Sequence, residues 1–154
     1  LPDFDLLGFN YRMTDLQGAI GLVQLGKLDK FIDERSRWAQ YYREQLADIE
    51  WLQLPQEPTN DRHGWQSFVC LIDQVKAPKS RNDILDELNH KGISTRPGTH
   101  AVHMLGLYRD KFGLRPEDYP VARSCDQNTM AIPLHNRMRK EDFEYVVKVI
   151  REIK

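Results

Sequence analysis

The sequence predicts an α+β fold, a helical segment leading into a small sheet covered by helices. Three observations carry that reading. Apolar residues recur at helical spacing through the opening third of the chain. Only a few short runs have strand character: Trp51–Leu54, Ser67–Ile72, Ile93–Arg96 and Met130–Leu134. Between and after them lie further amphipathic patterns, ending in Phe143, Val146, Val147, Ile150 and Ile153. Few strands among several one-faced helices suit a sheet with one face covered.

Thr14, with Gln17 three residues on, reads as a capping box, and Leu16, Ala19, Ile20 and Val23 give the apolar face of the helix behind it. Gly26 interrupts that helix. A second runs through Leu28, Phe31, Ile32, Trp38, Tyr42 and Leu46. Pro55 ends the first strand, and Gln56 to Gly64 is a loop rich in turn residues. Ser67–Ile72 is a continuous apolar run. Ser80 caps the next helix, Ile84, Leu85 and Leu88 face inward, and Lys91-Gly92 closes it. The third strand stops at Pro97. A short helix near Met104 to Lys111 follows an irregular loop, and Pro120 suits a first helical turn. Pro133 marks a sheet edge or a strand end.

The 154 residues suffice for one ordinary domain, or for one lobe with a helical extension. With 29% charged residues and no apolar run near the ~20 residues a bilayer requires, no membrane partner is expected. A net charge of −1, with Lys and Arg dispersed, gives no footprint for nucleic acid. Cys70 and Cys125 form no CxxC, so the expected compartment is reducing and cytoplasmic. Leu1-Pro2-Asp3-Phe4-Asp5 has neither a basic start nor a cleavage pattern, and no signal peptide is expected. The absence of an initiator Met fits a fragment.

Two clusters carry chemistry. Asn10, Tyr11 and Arg12 set an amide, a phenol and a guanidinium beside a helix start, where anions settle. On spacing alone, the plainer account remains ahead: Asn10 turns the chain and Arg12 is a solvated charge. The second cluster is Arg96-Pro97-Gly98-Thr99-His100-Ala101-Val102-His103, with Tyr108 beyond. It is a ligand edge, or simply a polar loop. His100 and His103 lack a third partner at metal-site spacing, so no metal is expected. Arg96 has the fork geometry that holds a carboxylate or a phosphate.

Gly8-Phe9-Asn10-Tyr11-Arg12-Met13-Thr14-Asp15-Leu16-Gln17, followed by Ala19-Ile20-Gly21, Gln24-Leu25 and Leu28, resembles the signature of the pyridoxal-phosphate-dependent sugar aminotransferases, the DegT/DnrJ/EryC1/StrS family. The resemblance covers nearly the whole chain but only the C-terminal portion of such an enzyme. It resumes at His63-Gly64-Trp65, at Gly92-Ile93-Ser94-Thr95-Arg96 with His103 and Tyr108, and at Pro133-Leu134-His135. It implies a small, mainly antiparallel sheet of the aspartate-aminotransferase-like class. It also implies pyridoxal 5'-phosphate as cofactor, a homodimer, and Asn10, Arg12 and Tyr11 at the cofactor phosphate of the partner subunit. Arg96, His103, Tyr108 and His63 fall at the expected substrate positions. Ala101-Val102 stands where a Pro is usual, and Gly98-Thr99 where an aromatic is usual, which bears on sugar specificity. His135 reads as an architectural cap.

The implied activity moves an amino group from glutamate or glutamine to a keto-sugar, usually nucleotide-linked, in amino-sugar, cell-surface polysaccharide or antibiotic synthesis. Such chemistry needs a cofactor-bearing lysine. Lys27, Lys30, Lys91 and Lys111 do not have that family setting, so the chain alone is expected to be inactive and to hold no catalytic residue. The expected division is residues 1–48 as cofactor-site loop and interface helices, and residues 49–154 as the small domain. Two alternatives stay open at this stage. One is a non-catalytic dimerisation or regulatory module derived from the family; the other is a sugar dehydratase on the same scaffold.

Overall fold

Thr14 opens the first helix as its position demands. The computed structural model describes residues 6–154; Leu1–Asp5, read above for a leader, lies outside them. The Thr14 hydroxyl accepts the Gln17 amide at 3.3 Å, and Gln17 Oε1 accepts the Thr14 amide at 2.9 Å. This capping box opens α1, Asp15–Leu25. Gly26 ends it, and α2, Leu28–Gln45, follows directly. No residue of α1 is buried, and Leu16, Ile20 and Val23 are 71%, 56% and 59% exposed. By contrast, Ala39, Tyr42 and Leu46, in and just after the second half of α2, are fully buried.

The sheet holds β1 Leu52–Gln53, β2 Phe68–Ile72, β3 Arg96–Pro97 and β4 Thr129–Ile132, in the order β1-β2-β4-β3, with every pairing antiparallel. Register sets Leu52 opposite Ile72, Cys70 opposite Met130 and Phe68 opposite Ile132, so these residues share one face. Against that face pack α2, α3 (Arg81–His90) and α6 (Lys140–Glu152), through Ile84 and Leu88, and through Phe143, Val146 and Ile150. Trp38 stacks on Phe143 at 4.1 Å and 7°. Each fully buried side chain of this kind contributes about 1.5–3 kcal/mol relative to exposure. α5, Pro120–Asn128, begins at a proline, as its sequence implies, and touches β2, β3 and β4. The second sheet face, with Val69 and Leu71 only half-buried, is covered less completely.

One strand lies later than its sequence implies. The run Ile93–Arg96 has strand composition, yet the ladder begins at Arg96. The Ile93 amide is spent on the Leu88 carbonyl at 2.9 Å, closing α3 through Gly92 at φ 77°, and the Thr95 amide turns to Asn89 Oδ1 at 3.4 Å. Pro97 sits inside β3 because β3 is an edge strand, where a missing N–H costs no ladder bond. Pro133 falls just past the end of β4, an internal strand, and so marks a strand end. A short helix α4, Gly106–Phe112, and 3-10 turns at Val102–Met104 and Pro116–Asp118 complete the chain.

Three polar ties fasten α2 to the segment between β4 and α6 and to α6 itself. The buried Tyr42 hydroxyl donates to the Pro133 carbonyl at 2.9 Å. Asn136 Nδ2 donates to the Phe31 carbonyl at 3.0 Å and to Glu34 at 2.9 Å. Arg151 of α6 donates to the Gln45 carbonyl and to Asp48.

Candidate cofactor and substrate sites

The turn ahead of α1 is built by Asn10, whose Oδ1 accepts the Arg12 amide at 3.0 Å. That bond uses the acceptor of the Asn10 side chain and leaves its amide donors free. Among the described residues the Arg12 guanidinium has no partner either, and Tyr11 is 86% exposed with its ring 6.1 Å from Phe9. A cationic fork, an amide and a phenol therefore point out of the surface next to a helix start. Such a donor set fits a phosphate, which takes several N–H and O–H donors and one cation.

The substrate-position residues fall in different places. Arg96, at the start of β3, lines a cleft of about 660 Å³ between the end of α3, the exit of β4 and α6. His103 lies inside the fold, 6% exposed, with Nε2 3.4 Å from the Pro116 carbonyl and its ring 5.0 Å from Tyr119. Tyr108, on α4, is 41% exposed beside Phe112. His63 accepts the Trp65 amide on Nδ1 at 2.8 Å, while its own amide donates to Glu57 at 2.7 Å. Of these four, Arg96 alone is on the wall of the cleft.

His63 has a definite local task. Trp65 stands at φ 45°, a left-handed setting that a bulky residue adopts only when its surroundings enforce it. The His63 bond, the indole resting 4.3 Å from the imidazole and its stack on Phe68 supply that enforcement. The indole N–H is buried without an acceptor among the described residues, a further cost borne by this turn. What the turn achieves is placement: Gln66 and Ser67, the next residues, line the cleft.

Near the second cluster, Asp126 Oδ1 accepts the Ala101 amide at 3.1 Å and lies 3.6 Å from His100 Nδ1, so α5 holds the loop in place. Asp118, which accepts the Arg115 amide and pairs with its guanidinium, has its carboxyl held below the usual range, first by that backbone bond. His135 Nδ1 accepts the Arg137 amide at 3.3 Å and its carbonyl accepts the Met138 amide at 3.1 Å, an architectural task. No group of three or more His, Cys, Asp or Glu is placed to hold a metal ion among the described residues. Nor is any described helix long and apolar enough to cross a membrane.

Arg137 and Tyr145 also line the cleft, and sequence reasoning singles out neither. Arg137 sits in the charged run Asn136–Lys140, where nothing distinguishes it from its neighbours. Tyr145 has the place of an outward residue on the final helix.

The architecture is that of known sugar-aminotransferase structures. A Helicobacter pylori PseC structure, an aminotransferase involved in the biosynthesis of pseudoaminic acid, superposes with a TM-score of 0.86 at 20% identity, over 98% of this chain and 40% of that one. An aminotransferase from Psychrobacter cryohalolentis gives 0.84 at 24% identity, over 99% and 42%. The sequence takes the assignment further: residues 3–151 match the DegT/DnrJ/EryC1/StrS aminotransferase family, and the chain belongs to it. Curated relatives include the Bacillus subtilis spore coat polysaccharide biosynthesis protein SpsC, 31% identical over 95% of this chain and 38% of its own length. They also include the GDP-perosamine synthase of Caulobacter vibrioides, 27% identical over 97% and 40%. The chain thus spans about two-fifths of the length of the curated relatives it matches.

Proposed function

We propose that this chain is the C-terminal part of a pyridoxal-phosphate-dependent aminotransferase that moves an amino group from glutamate or glutamine to a nucleotide-linked keto-sugar. The observation that carries the reading is the outward donor set of Asn10, Tyr11 and Arg12, free of partners within the described chain and fused to a helix with an uncovered apolar face. In this reading residues 1–48 supply the cofactor loop and interface helices, with α2 running into the small domain formed by 49–154. Arg12 and Asn10 hold the cofactor phosphate of a partner subunit in a homodimer, Tyr11 donates beside them, and α1 lies along the interface. The bound cofactor supplies electron withdrawal at the carbon that gains or loses nitrogen. Arg96 steadies an anionic substrate group, with Tyr108, His103 and His63 ordering the loops around it. Cytoplasmic residence fits a substrate made inside the cell.

Two experiments test this. The isolated chain, given pyridoxal phosphate, glutamate and a nucleotide-linked keto-sugar, should show no amino transfer; turnover would refute the placement of the lysine elsewhere. In the assembled enzyme, Arg12→Ala should weaken cofactor binding by about ten- to hundredfold, the loss of one charge-assisted contact. Unchanged cofactor affinity in an Asn10→Ala, Arg12→Ala double variant would remove the site.

A further inference from the structure

Four side chains among the described residues make the same local bond, accepting the backbone amide two residues further on. Asn10 Oδ1 accepts the Arg12 amide at 3.0 Å, and Asp73 Oδ1 accepts the Val75 amide at 3.0 Å. His63 Nδ1 accepts the Trp65 amide at 2.8 Å, and His135 Nδ1 accepts the Arg137 amide at 3.3 Å. A side-chain amide or a carboxylate stays an acceptor from pH 8 to pH 5. A histidine does not, because its ring changes charge in that range and the imidazolium carries N–H on both nitrogens. Two of the four turns therefore rest on an acceptor that a proton removes.

The two histidine turns differ in what the freed amide would meet. Arg137 is exposed and its bond is long, so water replaces the ring at little cost. Trp65 is buried at φ 45°, held by that bond, by the imidazole at 4.3 Å and by its stack on Phe68. Its indole N–H already lacks an acceptor among the described residues, so losing the His63 bond leaves both of its N–H groups unpaired. A strained left-handed residue that loses one support relaxes towards ordinary backbone angles. The charged groups around His63 are Glu57, which accepts the His63 amide at 2.7 Å, and Arg62, which bridges Asp29 and Asp33 of α2 at 2.9 Å each. Arg62 ties the loop to α2 without using the ring. Glu57 offers the protonated ring an anionic partner once the Trp65 amide is no longer one.

We infer that His63 is a pH-sensitive latch on the Trp65 turn: neutral, it holds the turn; protonated, it releases Trp65 and with it Gln66 and Ser67 on the wall of the cleft. His63 is in this sense a positioning residue. The sign follows from the bond, which exists only while Nδ1 is unprotonated. The latch is closed at pH 8 and opens as pH falls through the range in which a histidine charges. The inference stands independently of the proposed function, since nothing in it depends on what the cleft takes.

Nuclear magnetic resonance of the isotope-labelled 154-residue chain, titrated from pH 8 to pH 5, tests it. The Trp65 amide and indole resonances should move with the same midpoint as the His63 ring. Protection of the Trp65 amide against hydrogen exchange, referred to its unstructured rate at each pH, should fall about three- to tenfold across the titration. The Arg137 amide should lose less, and the Val75 amide, bonded to Asp73, should keep its protection. His63→Asn supplies the permanent acceptor that Asn10 uses and should keep Trp65 protected at both ends of the titration. His63→Ala should leave Trp65 poorly protected at both ends. A Trp65 midpoint separate from that of the His63 ring, parent protection that holds to pH 5, or an equal fall in His63→Asn would each overturn the latch. So would a His63→Ala variant protected like the parent. A His63→Asn variant as poorly protected at pH 8 as His63→Ala would show that ring packing, not the acceptor, holds the turn, and would overturn it as well. Should a variant fail to fold, the midpoints in the parent decide alone.

Discussion

Gly98 offers the sharpest test of the packing described above. A Cβ at this position would lie 2.4 Å from Val69 Cγ1, 2.7 Å from Thr129 Oγ1 and 2.8 Å from Thr129 Cβ. Real contacts of this kind do not occur, so Gly98→Ala must displace something. The neighbours are poorly able to yield. Both are β-branched and stiff at χ1, both stand on strands, and the Thr129 hydroxyl is already bonded to the Cys125 carbonyl. Overpacking costs about 1–3 kcal/mol, and with two rigid neighbours the upper half of that range applies, about 2–3 kcal/mol. For a domain of this size the melting temperature should fall by about 5–10 °C. Thermal melting followed by circular dichroism measures it. A double variant adding Val69→Ala removes the nearest methyl and should cost less than the two single changes summed, a coupling of about 0.5 kcal/mol or more. Gly98→Ala melting within about 1 °C of the parent would show that the edge strand does not lie against β2 and β4 as described.

Further outcomes follow from burial and charge. Burial pushes the Cys70 thiol well above its ordinary value, while Cys125 is half-buried. A thiol reagent at pH 8 should therefore modify Cys125 in the native chain and Cys70 only after denaturation, as counted by absorbance. Tyr42→Phe leaves the Pro133 carbonyl without its donor in a buried setting and should cost about 1–2 kcal/mol in urea unfolding. Asp48 and Asp118 both titrate below the usual carboxylate range, Asp48 chiefly through its hydrogen bonds with Arg151 and Asp118 chiefly through the Arg115 amide. Their folded-state values are depressed, so their stabilisation is complete above the unfolded value of about 4 and is lost as pH falls through the lower folded value. An Asp48→Asn, Asp118→Asn variant should lose less stability than the parent when acidified below about pH 4, measured by urea unfolding across pH.

Local chemistry was legible in the sequence where one short stretch determines the outcome. The Thr14–Gln17 box, the break at Gly26, the Ser80 cap and the apolar stripe of the last helix follow from neighbours a turn apart. The start of β3 was not, because the Ile93 amide chooses between a ladder and a helix end, and Gly92 decides it by geometry rather than composition. The turn at Asn10–Arg12 is local chemistry of the same kind, since the Asn10 side chain accepts an amide two residues on. The cleft was not legible, because Arg96, Arg137 and Tyr145 become neighbours only through the antiparallel return of β4 beside β3. A residue such as His103, polar yet buried against Tyr119, reads identically in sequence to one that faces a ligand.

The ties from α2 to the turn after β4 have a mechanical consequence. Tyr42 grips Pro133, and Asn136 grips the Phe31 carbonyl and Glu34, on either side of the cleft-lining pair Leu134 and His135 and next to Arg137. Any swing of the long helix against the sheet must therefore break these bonds or drag that hairpin bend along with it. Such a movement would carry Arg137 with the bend and change its spacing from Arg96 across the cleft.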